Sequence, residues 1–572
     1  MVYFPELCLE QIFRELDNNV ETLYSCILVN RLWFTLAVPE LWKNPFVTMC
    51  SGNPKRHGSL IDVYISCLPK NVRDNIYSGT TRPPIFNYVK YLRCIVIAPI
   101  CKSVNRWIVS KKVEELPFFK YLRVTCKRII TRDYERVIVE ILCDYFISCS
   151  TRIDEVDLSF RLFNLFANPN LSRIKTFKCS VMYLPDLMET GIVKSATKIA
   201  NNIRFLEIRF FCSYNDYSSD TMNSPVNDVI DLIESQKNLQ HILLQCTPVE
   251  FPTLLISICT HIKTLTSIDL YKIAFGCGLP LQYFAKLENL QHLKLIWCNF
   301  TGASDINVDD SSFQKLKSIT INTTNIQVDL LEILIRQARD SIRVLEIRNF
   351  RNLRELIYSC RKYCTLLTKL ILSINQGTLL SIISMVTTCR KLEEIHIYDE
   401  TMQEGGFYMP MDLNCTLTAD EFICQLGMAL PETVHTIRFL MDWFYNSSSL
   451  DTFFKQCNAR KLKRLEFSNC TFFSTRHLDV VVRHCGETLK YLYFNSYHHM
   501  SREYVKKARK IIPNLVVENN EFNRAYVFQP LSITRKTIDE LCASLVHIVH
   551  FKFNYGSFDD VCVVMEGGRL IQ

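Results

Sequence analysis

Seven segments of this chain carry one short pattern at a nearly constant interval. They are LQHILLQC from Leu239, LTSIDLYK from Leu265, LQHLKLIWC from Leu290, LKSITINT from Leu316, IRVLEIRN from Ile342, LTKLILSIN from Leu367 and LEEIHIYD from Leu392, stepping by 25 or 26 residues. Each reads apolar-x-x-apolar-x-apolar, the alternation of a strand with one buried face. Segments between such motifs, among them DLLEILIRQARD, LLSIISMVTTCRK and RHLDVVVRHC, have the spacing of an amphipathic helix. A strand and a helix repeated at fixed period bury their apolar faces only by stacking on the next unit. The chain is therefore constrained to a quasi-linear α/β array.

Such a unit resembles the leucine-rich repeat, whose period is roughly 20–29 residues. After a displaced start at Val434 the pattern returns in LKRLEFSNC from Leu462 and LKYLYFNS from Leu489, with weaker echoes in IPNLVVENN and LVHIVHF. Upstream, IRFLEIRF at Ile203 and FKYLRVTC at Phe119 fit it. The resemblance implies parallel strands on a concave face and helices on a convex one. Alternation predicts Leu293, Leu295, Leu345, Ile347, Leu465 and Phe467 in the core. It turns Asp269, Lys294, Thr320, Glu346, Ile371 and His396 away from the core in one row, and Tyr271, Ile296, Asn322, Arg348, Ser373 and Tyr398 in a second. Mixed charge with aromatic members suits a protein partner better than a phosphate backbone. Tyr271, Lys294, Arg348 and Tyr398 are thus the candidate substrate-binding residues, with the loops around Tyr214 or Tyr408, or the C-terminal repeats, as the other places for a partner.

Two spacings break the period. Ile203 to Leu239 spans 36 residues and contains CSYNDYSSDTMNSPVND, and Leu392 to Val434 spans 42 and contains DETMQEGGFYMPMDLNCTLTADE. Both are polar or turn-rich and read as loops projecting from one side. Cys298 and Cys470 hold the place in their repeats that Asn375 and Asn520 hold in others, while Cys259, Cys389 and Cys485 end helices. The place suits a residue that turns the chain out of a strand while staying buried. This pattern resembles the cysteine-containing repeat subclass common in F-box proteins.

Near the N-terminus, PELCLEQIFREL puts Leu9, Ile12, Phe13 and Leu16 at the spacing of one helix face, with Pro5 in the first turn. DNN at 17–19 breaks that helix, ETLYSCILV reads as a second, and Leu32, Trp33, Leu36 and Ala37 line a third that Pro39 stops. The stretch LVNRLWFTLAVPELW, from Leu28 to Trp42, is too short and too interrupted for a membrane span of roughly 20 apolar residues. It must be buried against protein. In the Pro-Glu-Leu opening, the Ile12–Leu16 helix, LVNRLW and the closing PELW, about Tyr3 to Phe46 resembles the F-box family. That resemblance implies docking onto the Skp-type adaptor of a cullin-RING ubiquitin ligase, through Phe4, Pro5, Leu9, Ile12, Leu28, Val29 and Trp33. A helical cap that closes the first repeat is the alternative reading of these residues.

Hydrophobic residues at 48% and charged residues at 22% exclude wholesale disorder. The formal charge of +8, from 66 basic and 58 acidic residues, gives little field for gripping nucleic acid. Basic runs in SREYVKKARK and ARKLKRLEF hint at RNA or an acidic partner. Without interleaved aromatics to stack bases they read as solvated helix faces. The start MVYFPELCLEQIF lacks a basic leader and apolar core, and the 25 cysteines are too sparse for a disulfide scaffold. The expectation is a cytoplasmic or nuclear protein, away from membranes, with free thiols. Zinc, phosphate-loop and hydrolase motifs are missing, and the adjacent His498 and His499 read as surface loop. No catalytic residue, cofactor or metal is expected.

The expected organisation is α/β: a three-helix F-box over residues 1–46, a packed linker or degenerate first repeats over 47–118, and a leucine-rich repeat solenoid over 119–572. The expected function is a non-enzymatic substrate-recognition subunit of a Skp-cullin-F-box ubiquitin ligase. A repeat scaffold with no ligase link is the alternative, and an enzyme in an unrecognised fold is a third.

Overall fold

The computed structural model describes residues 5–519 apart from 17–18, 49–53, 80–83, 85, 112–126, 160–167, 184–190, 213–222, 246–250, 276–279, 301–311, 351, 400–416, 442–444, 469–472 and 497–501, together with 564–566 and 569–571. Helices α1 (Glu6–Glu15), α2 (Val20–Ile27) and α3 (Arg31–Leu41) open the chain. Asn19 and Asn30 start the second and third: the Thr22 amide donates to Asn19 Oδ1 at 3.1 Å and the Trp33 amide to Asn30 Oδ1 at 2.9 Å. Each bond satisfies a donor that a helix start leaves free. Leu9, Phe13, Leu23, Cys26, Ala37 and Leu41 close a small core of their own, against which Leu16 and Trp33 are half-buried.

Two local expectations change. Ile12 does not share the buried stripe of Leu9 and Phe13 but faces solvent, since this i,i+4 pair alone points at the other helices. Pro39 does not stop α3, which runs on to Leu41. The Trp42 amide still reaches the Val38 carbonyl at 3.0 Å. Burial of Ala37, Val38 and Leu41 offsets the roughly 3 kcal/mol that an interior proline costs. Trp42 joins this unit to the rest, stacking on Tyr88 at 4.0 Å and meeting Tyr64 edge-on at 6.0 Å.

Beyond it lie fifteen strands: β1 (Cys94–Val96), β2 (Glu155–Leu158), β3 (Thr176–Tyr183), β4 (Phe205–Cys212), β5 (His241–Gln245), β6 (Ser267–Tyr271), β7 (His292–Ile296), β8 (Ser318–Asn322), β9 (Val344–Arg348), β10 (Lys369–Ile374), β11 (Glu394–Asp399), β12 (Thr436–Leu440), β13 (Arg464–Ser468), β14 (Tyr491–Ser496) and β15 (Asn514–Asn519). They form one sheet in sequence order. From β1 to β14 each pairs with the next in parallel. Parallel neighbours need a crossover, and the helices of the repeat supply it. Leu330, Leu331, Leu334 and Ile335 of the helix Val328–Gln337, and Leu353, Leu356, Ile357 and Cys360 of Leu353–Tyr363, face the sheet side of a single core that runs from Phe46 to Leu515. Leu293, Leu295, Leu345, Ile347, Leu465 and Phe467 are all buried in it.

The sheet begins earlier than residue 119. Its first strand lies at Cys94–Val96, inside the segment 47–118 read as a packed linker or degenerate first repeats, and pairs with β2 in the register Cys94 to Glu155. Residues 112–126, which hold the whole of FKYLRVTC, fall outside the described residues, and a helix follows at Lys127–Cys149. The compact unit closes at Val517, and Glu518–Gln572 is a second unit. Within that unit β16 (Val564–Glu566) and β17 (Arg569–Ile571) pair antiparallel, so the array is not one parallel stack to residue 572. LVHIVHF, Cys470, Asn520, His498 and His499 also lie outside the described residues.

Cys298 is buried where the chain leaves β7, its thiol donating to the Leu270 carbonyl at 3.4 Å. Thr324 repeats the device one unit on, its hydroxyl donating to the Leu295 carbonyl at 3.1 Å. Asn375 does not, because β10 runs one residue longer. Its side chain is exposed and caps the turn Gln376–Thr378. The described cysteines are all free thiols.

Candidate functional site

The sheet face turned away from the helices is built from the first, third and fifth residues of each strand. Asp269, Lys294, Thr320, Glu346, Ile371 and His396 stand on consecutive strands in one unbroken row. Tyr271, Ile296, Asn322 and Arg348 form the adjacent row, and Ser373 pairs with Tyr398 further along it. Neither row is uniformly exposed. Ile296, Thr320, Ile371, Ser373 and His396 are buried although they point off the core, because strands about 4.8 Å apart let long side chains shield short ones.

The four candidate contact residues come together in two pairs. Lys294 Nζ lies 5.2 Å from the centre of the Tyr271 ring, and the Arg348 guanidinium 4.9 Å from that of Tyr398. Arg348 also pairs with Glu346 at 2.6 Å. Each cation is thus parked over an aromatic face, leaving a flat, amphipathic surface whose members are already ordered.

Beyond these rows four successive units place a non-glycine residue in the left-handed region: Lys272 (φ 54°), Trp297 (φ 54°), Thr323 (φ 46°) and Asn349 (φ 52°). Each such residue costs about 1 kcal/mol or more. The ladder offsets this, with the amides of Lys272, Trp297 and Thr323 donating to the carbonyls of Ile296, Asn322 and Arg348 at 2.8, 2.9 and 3.0 Å. The turn buries the next residue and projects its own side chain along the rim. Trp297 is left 50% exposed, with Lys272 Nζ 5.0 Å from its ring. Sequence reasoning passed over Trp297 although it lies inside LQHLKLIWC. The signal was there, an aromatic where neighbouring repeats put Lys272, Thr323 and Asn349.

Toward the C-terminal strands the same face is held by charge. Arg438 grips Glu466 with two bonds, Nε to Oε2 at 2.7 Å and Nη2 to Oε1 at 2.8 Å. Burial works to raise the Glu466 pKa, but hydrogen bonds from Arg438 and Ser468 outweigh it and hold the carboxyl below its ordinary range. Burial, then the charges of Arg438 and Lys369, pushes His396 down to about 4 from 6.5. Native His396 therefore binds fewer protons than the unfolded chain between these two values. Its share of stability is intact above pH 6.5 and drains away as pH falls toward 4. In urea titrations between neutral pH and pH 4.5, the wild type should lose about 2 kcal/mol more than His396→Asn. Equal losses would show that His396 is not held neutral.

The adaptor-facing candidates divide differently. Pro5, Ile12, Leu28 and Val29 are exposed, Trp33 is half-buried edge-on against Phe13 at 5.3 Å, and Leu9 is buried in the small core. Phe4 falls outside the described residues, as do Tyr214 and Tyr408. Leu7, Ile12, Tyr24, Leu28 and Val29, between 45% and 77% exposed, make the outside of α1–α3 apolar. No group of three or more His, Cys, Asp or Glu able to hold a metal occurs among the described residues. No helix among them is long and apolar enough to cross a membrane.

No protein-family model matches the chain, and no curated protein matches it. Among solved structures it is similar to the crystal structure of the leucine-rich repeat-containing protein LegL7 from Legionella pneumophila, at 13% identity and a TM-score of 0.30, over 48% of this chain and 89% of that one. The repeat architecture described above stands on this chain's own sheet and register.

Proposed function

We propose that the chain is a protein-recognition scaffold that serves as the substrate-binding subunit of a Skp-cullin-F-box ubiquitin ligase. The helices α1–α3 dock on the adaptor, and the sheet face around β6–β11 holds a protein for modification by other subunits. The contribution to chemistry is proximity, raising the local concentration of substrate lysines.

The observation that carries the binding half is the sheet face holding the Lys294–Tyr271 and Arg348–Tyr398 pairs, with half-exposed Trp297 on its rim against Lys272. Tryptophan, tyrosine and arginine are the residues that dominate interface energies, and here they are preordered. Support for the docking half comes from the outer surface of α1–α3. A cap that only closed the stack would need a polar outside for solubility, whereas this one exposes five large apolar side chains. The same surface is what a scaffold without a ligase link leaves unexplained.

Affinity capture from lysate tests the binding face. Alanine at Tyr271, Lys294, Arg348 and Tyr398 should cut recovery of the partners retained by the wild type by about tenfold or more, and Trp297→Ala alone by about tenfold. All four side chains are half-buried, so circular dichroism has to show the variant folded before lost recovery is read as lost binding. Full recovery by the quadruple variant would move the partner to the loops around Tyr214 or Tyr408, or to the C-terminal repeats.

A further inference from the structure

Parallel pairing in sequence order brings every connection that leads into a strand to one edge of the sheet. Backbone hydrogen bonds run there from each connection to the one before it: the amides of Lys175, Arg204, Lys317, Arg343 and Lys490 donate to the carbonyls of Asp154, Lys175, Gln291, Lys317 and Lys463 at 2.7–2.8 Å. These residues form a row with the strand spacing of about 4.8 Å. The connections into β1–β14, from residues 88–93 to residues 486–490, carry nineteen Lys or Arg and six Asp or Glu. That excess is larger than the +8 of the whole chain, so cationic charge is segregated to this edge and the remainder is net acidic.

A cleft of about 520 Å³ opens on this edge between the connections into β2, β3, β4 and β5. Arg152, Arg173, Lys175 and Lys237 line it, with Ser172 and the amides of Asn201, Asn202 and Asn238, and no carboxylate is in the lining. Asp154 beside it meets Arg152 at 2.7 Å and Lys175 at 3.8 Å. Arg173 and Lys237 have no ion pair among the described residues. Asn238 Nδ2 donates to Asn202 Oδ1 at 2.7 Å, tying two strand entries together across the floor. Guanidinium forks, ammonium groups and neutral donors without an acid are the chemistry that receives tetrahedral oxyanions.

We infer that this edge, centred on the cleft, binds a phosphorylated segment of a protein partner. Several phosphates are implied because cations recur beyond the cleft on both sides, at Arg93 before it and at Lys263 after it. A peptide fits better than single-stranded nucleic acid, since no aromatic side chain lines the cleft to stack a base. The site lies at the opposite end of the strands from Trp297 and holds whether or not the chain serves a ligase.

The test is fluorescence anisotropy on the full chain at about 150 mM salt. The probe is a labelled glycine-serine peptide carrying several phosphoserines, read against its unphosphorylated twin, tripolyphosphate and a short duplex RNA. Binding of the phosphopeptide at least about tenfold tighter than the twin, weakened about tenfold by Arg173→Ala with Lys237→Ala and unchanged by Lys507→Ala, on the helix Arg502–Ile511 and off this edge, is the expected result. Both mutated cations are exposed, so circular dichroism should show folding intact. Equal affinity for the twin, or indifference to the double substitution, would overturn the proposal. Tighter binding of tripolyphosphate would replace the peptide by a free polyphosphate, and tighter binding of RNA would replace it by a nucleic acid; either result overturns the peptide assignment.

Discussion

A chain carrying Ile12→Asp and Leu28→Asp will lose capture of a Skp-type adaptor by more than about a hundredfold, while its thermal transition stays where it was. Ile12 is 45% exposed and Leu28 70%, so a carboxylate at either place keeps its water in the free protein. Buried in an apolar contact, each unpaired charge costs several kcal/mol by order of magnitude. The choice of positions matters. Leu9 and Phe13 belong to the small core of α1–α3, and a charge there would unfold the unit and mimic lost binding for the wrong reason. Pull-down with purified adaptor reads the result. Undiminished capture by the double variant, or no capture by the wild type, would remove the ligase and leave a repeat scaffold.

Much of the fold was legible because the motif is stringent where the period is regular. From Leu239 to Leu392 every expected strand is present and every inner apolar residue is buried. What escaped was the motif out of period. Leu92, Ile95 and Ile97, then Ile153, Val156 and Leu158, then Ile174, Phe177 and Cys179 carry the same apolar-x-x-apolar-x-apolar signature into β1, β2 and β3, all buried. They are separated by unequal stretches, one holding two helices among its described residues, and a fixed step passes over them. The outward rows were legible in register and not in exposure, since shielding of Thr320 or His396 depends on the lengths of neighbours on other strands. The basic edge was illegible along the sequence because its cations arrive a few at most per repeat, from none to three. Only the parallel ladder makes them neighbours.

The packing of the helix layer predicts a large loss of stability from one added side chain. In the helix Ala419–Ala429, a Cβ on Gly427 would lie 2.7 Å from the Phe453 carbonyl oxygen and 3.2 Å from its Cα, both backbone atoms of the next helix, Ser447–Gln456. Backbone cannot swing aside as a side-chain tip can. Relief requires the two helices to separate, and Phe453 is itself fully buried against Phe439 of β12. Removing a mid-helix glycine ordinarily gains up to about 1 kcal/mol, whereas overpacking here should cost about 3 kcal/mol or more, so Gly427→Val is strongly destabilising. Gly58, in the helix Pro54–Cys67, is the contrast. Its nearest neighbour would be Ser110 Oγ at 3.7 Å, and Gly58→Ala should stabilise by about 0.5–1 kcal/mol. Because each repeat is held by its neighbours alone, the loss at Gly427 should also be local in native-state hydrogen exchange. Amides of β12–β14 should exchange faster in Gly427→Val, with those of β6–β9 unchanged. A urea midpoint indistinguishable from wild type would show that the stack yields at this joint, and that its order rests on the sheet alone.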